Sequence, residues 1–310
     1  MAPARPPLIL IVGPTAVGKT DVAIRLAGLL GGEIISADSR LFYRGMDIGT
    51  AKPTAAEQQL VSHHLIDIVD PDQTLSLAVF QGMAREAISD VHRRGKLPLL
   101  VGGTGQYVRA VTEGWEPPAV TPDPKLRAGL ERMGKDRGND WLHRSLNRLD
   151  PEAADTIDPH NARRTVRALE VILTTGRKFS EQRLRAESPY HLITIGLTRP
   201  RADLYARIDA RIDGMFDAGL LAEVRRLLAS GYDARLPAMS AIGYRECLHV
   251  IDGEWTVDQA KAAMRRATRI YVRRQANWFK PSDPGIRWFE AVEPDVSVAI
   301  ASYIRNILHE

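Results

Sequence analysis

Residues 8–12, LILIV, are apolar without a break, which is the pattern of a strand buried on both faces of a parallel sheet. A helix is expected from about Lys19, burying Val22, Ile24, Leu26, Leu29 and Leu30 and stopping at Gly31-Gly32. EIISAD (33–38) reads as a second strand and HLIDIV (64–69) as a third. Over 76–94, Leu77, Phe80, Ala84, Ala87, Ile88 and Val91 recur at helical spacing, and LPLLVGG (97–103) is again strand-like before a short helix after Gly105. Strands alternating with helices predict an α/β sheet that binds ligand at the carboxyl ends of its strands.

Near Gly114 the pattern changes. WEPPAVTPDP is turn-rich, and Pro124 to about Ala186 is helical and charged with no strand signal. Strand character returns at HLITIGLTR (191–199). Helices follow at LYARIDARIDGMFDAG, LLAEVRRLLASG and about 256–279, then a last strand IRWFE (286–290) and a helix ending near Leu308. This predicts one α/β core, 1–114 with 191–310, carrying a helical insertion over 115–190. The 310 residues, at about 150 per domain, agree with two units.

Composition adds little to this picture: 44% hydrophobic and 26% charged residues are ordinary for a globular chain. The net charge of +4 suggests an anionic partner only if the excess lies on one face. Cys247 is the sole cysteine, so an internal disulfide is excluded and a reducing cytoplasm is expected. The apolar run at 8–12 is too short for a signal peptide core or a membrane span.

GPTAVGKT (13–20) matches the phosphate-cradling pattern G-x-x-x-x-G-K-[ST] at every fixed position. Gly13 and Gly18 let the backbone wrap so that N–H groups point at an anion, and the following helix adds its positive end. Lys19 supplies a point charge, and the Thr20 hydroxyl can bind Mg²⁺ held by a polyphosphate. Asp38, where EIISA ends, lies on the same rim. It can bind Mg²⁺, take a proton from a nucleophile, or cap the next turn. GGTGQY (102–107) places Thr104 at another strand end, either as part of the crevice or as a tight turn alone.

Basic residues cluster twice. In NARRTVRALEV (161–171), Arg163, Arg164 and Arg167 lie opposite Val166, Leu169 and Val171. Between Trp255 and Lys280 there are seven basic residues and one acid, Asp258, with Arg266, Arg269 and Arg273 forming a stripe. Nucleic-acid backbone is the functional reading and a solvated helix face is the other. Arg207 and Arg211 can face one anion, or join Asp209 and Asp213 in a surface ion-pair lattice. His63-His64 has no partner at metal spacing, and Cys247 reads as a packed thiol.

Taken in order, GPTAVGKT, DSRLFYRGMDIGTAKP, HHLIDIVDP, LLVGGTGQY, RRTVRALEV, RIDARID, AIGYRE and TRIYVRRQANWF resemble the tRNA dimethylallyltransferases (tRNA isopentenyltransferases) of the bacterial type without a zinc finger, over nearly the whole chain. The resemblance implies a P-loop NTPase-like parallel sheet core with a helical insertion domain facing tRNA. It implies transfer of a dimethylallyl group from dimethylallyl diphosphate to N6 of the adenine 3′ of the anticodon, in tRNAs reading codons that begin with U. Gly13, Pro14, Thr15, Ala16, Val17, Gly18, Lys19 and Thr20 would hold the diphosphate, with Mg²⁺ near Thr20 and Arg211 as a second clamp. Asp38 would be the general base and Thr104 would contact the substrate nucleotide. Asp38, Ser39, Arg40, Leu41, Arg127 and the segment Asn161, Ala162, Arg163, Arg164 and Thr165 would face the anticodon stem-loop, with the two arginine clusters on the surrounding backbone. Leu41 stands where many members have Gln, and Gln106 where an apolar residue is common.

Three rival readings follow from the same residues. A small-molecule kinase or NTPase would use Arg163, Arg164 and Arg167 as lid arginines. A prenyltransferase could take free nucleotides as acceptor. A non-catalytic RNA-binding module would leave Asp38 dispensable. A cytoplasmic monomer is expected.

Overall fold

Strand β1 (Pro7–Val12) runs through the middle of a six-stranded sheet and sends alternate side chains to two separate cores. Ile9 and Ile11 enter one core, and Leu8, Leu10 and Val12 enter the other. The structure, a computed structural model, describes residues 5–113, 123–182 and 187–309. Most of the turn-rich WEPPAVTPDP stretch lies outside the described residues.

After β1 the chain forms helix α1 (Lys19–Leu30), strand β2 (Gly32–Ser36) and helix α2 (Ala55–Leu60). Strand β3 (His63–His64), helix α3 (Leu77–Arg93), strand β4 (Leu97–Val101) and helix α4 (Gly105–Thr112) follow. Strand β5 (His191–Thr198) then leads to helices α9 (Arg201–Asp217), α10 (Leu220–Ala229), α11 (Tyr244–Ile251) and α12 (Val257–Ala276). Strand β6 (Ile286–Glu290) and helix α13 (Val296–His309) close the chain. All pairings are parallel, in the order β3-β2-β4-β1-β5-β6, with Ile9 opposite Leu99 on one side and Ile193 on the other. The carboxyl ends of β1, β2 and β4 therefore form one rim.

Two expectations are corrected. In α1 the deeply buried side chains are Val22, Ala23, Leu26 and Ala27, while Leu29 is 41% exposed. Small alanines allow the closest approach, which turns the buried stripe away from the longer Leu29. The segment 64–69 is not a strand beyond His64. Leu65 and Asp67 take φ 61° and 55°, and Ile68 and Val69 donate instead to the carbonyl of Phe42.

Residues 124–175 form four helices: α5 (Pro124–Arg137), α6 (Asn139–Leu149), α7 (Pro151–Thr156) and α8 (Ala162–Thr175). Asp123, Asp150 and Asn161 cap α5, α7 and α8 by accepting backbone N–H groups, as short polar residues at helix starts do. Leu130, Leu142, Leu146, Val166, Leu169 and Ile172 make a core of their own. The chain divides into two compact units, Met1–Thr112 with Ser188–Glu310, and Glu113–Glu187. Among the described residues no helix is long and apolar enough to cross a membrane.

Candidate active site

The turn after β1 is held by basic side chains that donate to its carbonyls. Lys19 Nζ donates to the carbonyls of Gly13 and Pro14 at 3.0 and 2.8 Å. Arg207 Nε donates to Ala16 O at 3.0 Å, and Arg199 Nε to Val17 O at 3.3 Å. Gly18, at φ 109°, turns the chain into α1, a backbone conformation that favours glycine. Desolvation under the loop brings the Lys19 ammonium down to about 8, with Asp38 opposing that shift and Arg211 adding to it.

Asp38 follows β2. Its N–H donates to Ser36 Oγ and its Oδ1 accepts the Arg40 N–H, so the turn itself fixes the carboxylate. Burial also lowers the Arg211 guanidinium, again opposed by Asp38. Burial and the Asp38 charge both raise the Tyr271 phenol. Asp38, Lys19, Arg211 and Tyr271 thus form one electrostatic group.

Asp38, Arg211 and Tyr271 line a cleft of about 380 Å³. Thr15, Ala16, Arg211, Asp38, Ser39 and Thr104 form its polar part, and Ile208, Ile212, Met215, Ala241, Ile242 and Met264 its apolar wall. An anion cradle beside a carboxylate and an aliphatic wall can bind an apolar chain with a charged head and remove a proton next to it. Thr20 is the second residue of α1, so its hydroxyl lies at the loop end of that helix. No cluster of three metal-ligating side chains occurs among them.

Arg127, Asn161 to Thr165 and Arg167 belong to the helical unit Glu113–Glu187. Arg127 and Arg167 both donate at 2.7 Å to Glu170 Oε2, a buried carboxylate that also accepts the Asp123 N–H at 2.9 Å. Burial would raise the Glu170 pKa, but these bonds lower it. Arg163 and Arg164 are exposed, as is Asn161, which caps α8. Ala162 is partly covered, and Thr165 is buried with its hydroxyl bonded to Asn161 O, so it presents no side chain to solvent.

The basic run on α12 has acids close in space that are remote in sequence. Asp213 of α9 pairs with Lys261 and Arg265, and Asp209 pairs with Arg269 at 2.7 Å. These pairs offset part of the charge of a run that carries one acid, Asp258, of its own. Arg266 and Arg273 have no acidic partner among the described residues, and with Arg201 and Tyr205 they line a separate groove. Arg201 and Arg269 both stack on the Tyr205 ring, at 5.2 and 5.0 Å.

Sequence reading missed the inner face of α12. Gln275 Oε1 accepts the Thr15 N–H at 2.8 Å, its Nε2 donates to Gly103 O at 3.1 Å, and Tyr271 OH lies 3.5 Å from Thr104 Oγ1. The one signal was an amide amid arginines in RRQANWF. The DIGTAKP loop is held by Glu223, which accepts N–H groups of Asp47, Ile48 and Gly49 and the Tyr244 hydroxyl, and its Gly49 and Thr50 line the cleft. Cys247 is buried and pushed up to about 12, chiefly by burial, as befits a packed thiol.

The parallel sheet with a phosphate loop after its central strand makes this a P-loop α/β protein, with a site suited to an anionic head and an apolar tail. The chain belongs to the IPP transferase family, whose pattern it matches over residues 41–282. It is 53% identical to the tRNA dimethylallyltransferase of Roseiflexus sp. (strain RS-1) over 97% of this chain and 98% of that one. Its fold is similar to that of the tRNA isopentenylpyrophosphate transferase of Bacillus halodurans, with TM-score 0.73, 43% identity and 98% and 97% of the two chains covered. A eukaryotic dimethylallyltransferase acting on tRNA also matches, with TM-score 0.81, 26% identity and 98% and 79% coverage.

Proposed function

We propose that this chain transfers a dimethylallyl group from dimethylallyl diphosphate to N6 of the adenine 3′ of the anticodon in tRNA. The observation that carries this reading is the union, in one cleft, of the phosphate loop, Arg211, Asp38 and an aliphatic wall. The relatives' names point the same way.

The N6 lone pair attacks the allylic C1, the C1–O bond breaks with its electrons leaving on diphosphate, and the amine proton passes to Asp38. The loop N–H groups, Lys19 and Arg211 stabilise the leaving charge. Thr20, a single hydroxyl without a carboxylate cage, would hold Mg²⁺, a hard cation that favours oxygen ligands. When bound, Mg²⁺ neutralises diphosphate charge. Thr104, on the polar rim, contacts the acceptor nucleotide. Arg163 and Arg164 of the insertion, and Arg266 and Arg273 of α12, bind RNA backbone. The tRNA set is that reading codons beginning with U, and the protein acts as a cytoplasmic monomer.

Incubation with dimethylallyl diphosphate and unmodified tRNA should yield N6-dimethylallyl adenosine by mass analysis of digested RNA. Brisk ATP hydrolysis without prenylated RNA, or prenylation of free nucleotides only, overturns the reading. Asp38→Asn should lower kcat by about 10²–10⁴-fold while tRNA binding stays within twofold. An equal loss of tRNA binding would instead make Asp38 an RNA-positioning group.

A further inference from the structure

Two glycine-rich turns meet at the end of α12, and one side chain bridges them. Gln275 is 5% exposed, and the groups it faces need opposite things: the Thr15 N–H needs an acceptor and the Gly103 carbonyl needs a donor. A primary amide offers both from one planar group. The fit is close, since a Cβ on Gly103 would fall 2.1 Å from Gln275 Nε2 and 3.0 Å from Gly13 O. One turn earlier on the same helix, Tyr271 OH faces Thr104 Oγ1 at 3.5 Å. Three residues later, Trp278 packs so tightly on Gly105 that a Cβ there would lie 2.3 Å from its ring.

We propose that Gln275 is a positioning residue that fixes the distance between the phosphate loop and the Thr104 turn, and thereby between the prenyl donor and its acceptor. This rests on the prenyltransferase reading above. Thr15 belongs to the limb that holds the departing diphosphate, and Thr104 to the rim that meets the nucleotide. Without the bridge each turn keeps its own fold but loses its register to the other. Reaction across two substrates is sensitive to such a loss, since a displacement of about 1 Å costs about 10²-fold in rate. Glu at this position retains an acceptor for Thr15 but sets an oxygen against the Gly103 carbonyl. Leu serves neither partner.

The test compares wild type, Gln275→Glu and Gln275→Leu in the full chain. Steady-state prenyl transfer is measured with each substrate varied, alongside amide hydrogen exchange of the 13–20 segment. The expected result is a kcat about 10–100-fold lower for Gln275→Leu, a raised donor KM, an unchanged tRNA KM and faster exchange in the loop, with Gln275→Glu in between on every measure. A merely structural role lowers the active fraction and leaves both KM values where they were, and that outcome overturns the proposal. So does a Gln275→Glu variant indistinguishable from wild type, which also decides the matter if Gln275→Leu does not fold. Hydrogen exchange is independent of the reaction. If wild type fails to prenylate tRNA the functional reading fails, whereas loop exchange unchanged by either substitution removes the bridge.

Discussion

The turn after β1 and the turn after β4 close the ends of neighbouring strands, and both are rich in glycine for different reasons. At Gly13 and Gly18 the backbone runs at φ 148° and 109°, where a side chain is strained whatever the space around it. Gly102, Gly103 and Gly105 are not among the residues with positive φ, and their constraint comes from neighbours. A Cβ would meet Ala37 at 2.8 Å, Gln275 at 2.1 Å and Trp278 at 2.3 Å respectively. The first turn is shaped by what its own backbone does, so its pattern is local and readable. The second is shaped by Ala37 and by residues some 170 positions further on, so its glycines carry no motif of their own.

Substitution at Gly13 should separate the two cases most sharply. Gly13→Ala adds backbone strain of about 1–3 kcal/mol and drives a methyl group to 2.6 Å from the Leu197 carbonyl, which cannot be trimmed. We expect a lower melting temperature and loss of donor binding beyond about 100-fold, read by calorimetry and donor titration. Gly105→Ala should cost about 1–3 kcal/mol through overpacking alone. Because the obstacle there is a side chain, adding Trp278→Leu should recover part of that cost in a double-mutant cycle, with a coupling of about 1 kcal/mol or more. Strictly additive losses would mean that Gly105, like Gly13, answers to its backbone.

Smaller effects probe the charges around the turns. Lys19 in the free protein titrates near 8, and a bound diphosphate favours its charged form. Between the free and bound pKa values, binding must therefore take up a proton. Donor affinity should fall by up to about tenfold as pH rises from 7 to 9, a range where phosphate groups are already ionised. Lys19→Arg should flatten that dependence, and an unchanged profile would detach Lys19 from the donor. The mildest change is expected on the outer face of α12. Arg266→Gln with Arg273→Gln should reduce the salt slope of tRNA binding by about 1–2 and leave donor KM unaltered. A raised donor KM in its place would assign the groove to diphosphate.

Much of the α/β core was legible because buried parallel strands are short apolar runs, as in LILIV and LPLLV, and need no knowledge of their partners. The segment after His64 misled because a short run rich in Leu, Ile and Val resembles a strand, while the turns at Leu65 and Asp67 depend on hydrogen bonds to residues 41 and 42. The charge balance of the arginine run on α12 was illegible for a similar reason. Its counter-charges, Asp209 and Asp213, stand about fifty residues earlier and meet it only when α9 packs alongside. Arg127 and Arg167 keep partial exposure, at 38% and 30%, while both pair with the buried Glu170 carboxylate, and the distance from Arg127 to Glu170 along the chain hid that pairing.

By itself the sequence determined the strand-and-helix alternation, the phosphate loop and its lysine, and the order of motifs that marks the family. All of these follow from residues within a few positions of one another, where backbone conformation and periodicity act directly. The tertiary structure alone decided which charges are neutralised, that Glu223 secures the DIGTAKP loop, and that Gln275 joins Thr15 to Gly103. Each of these is a contact between segments far apart in the chain. Spacing along a sequence carries no record of which groups will share a low-dielectric interior and must satisfy one another there.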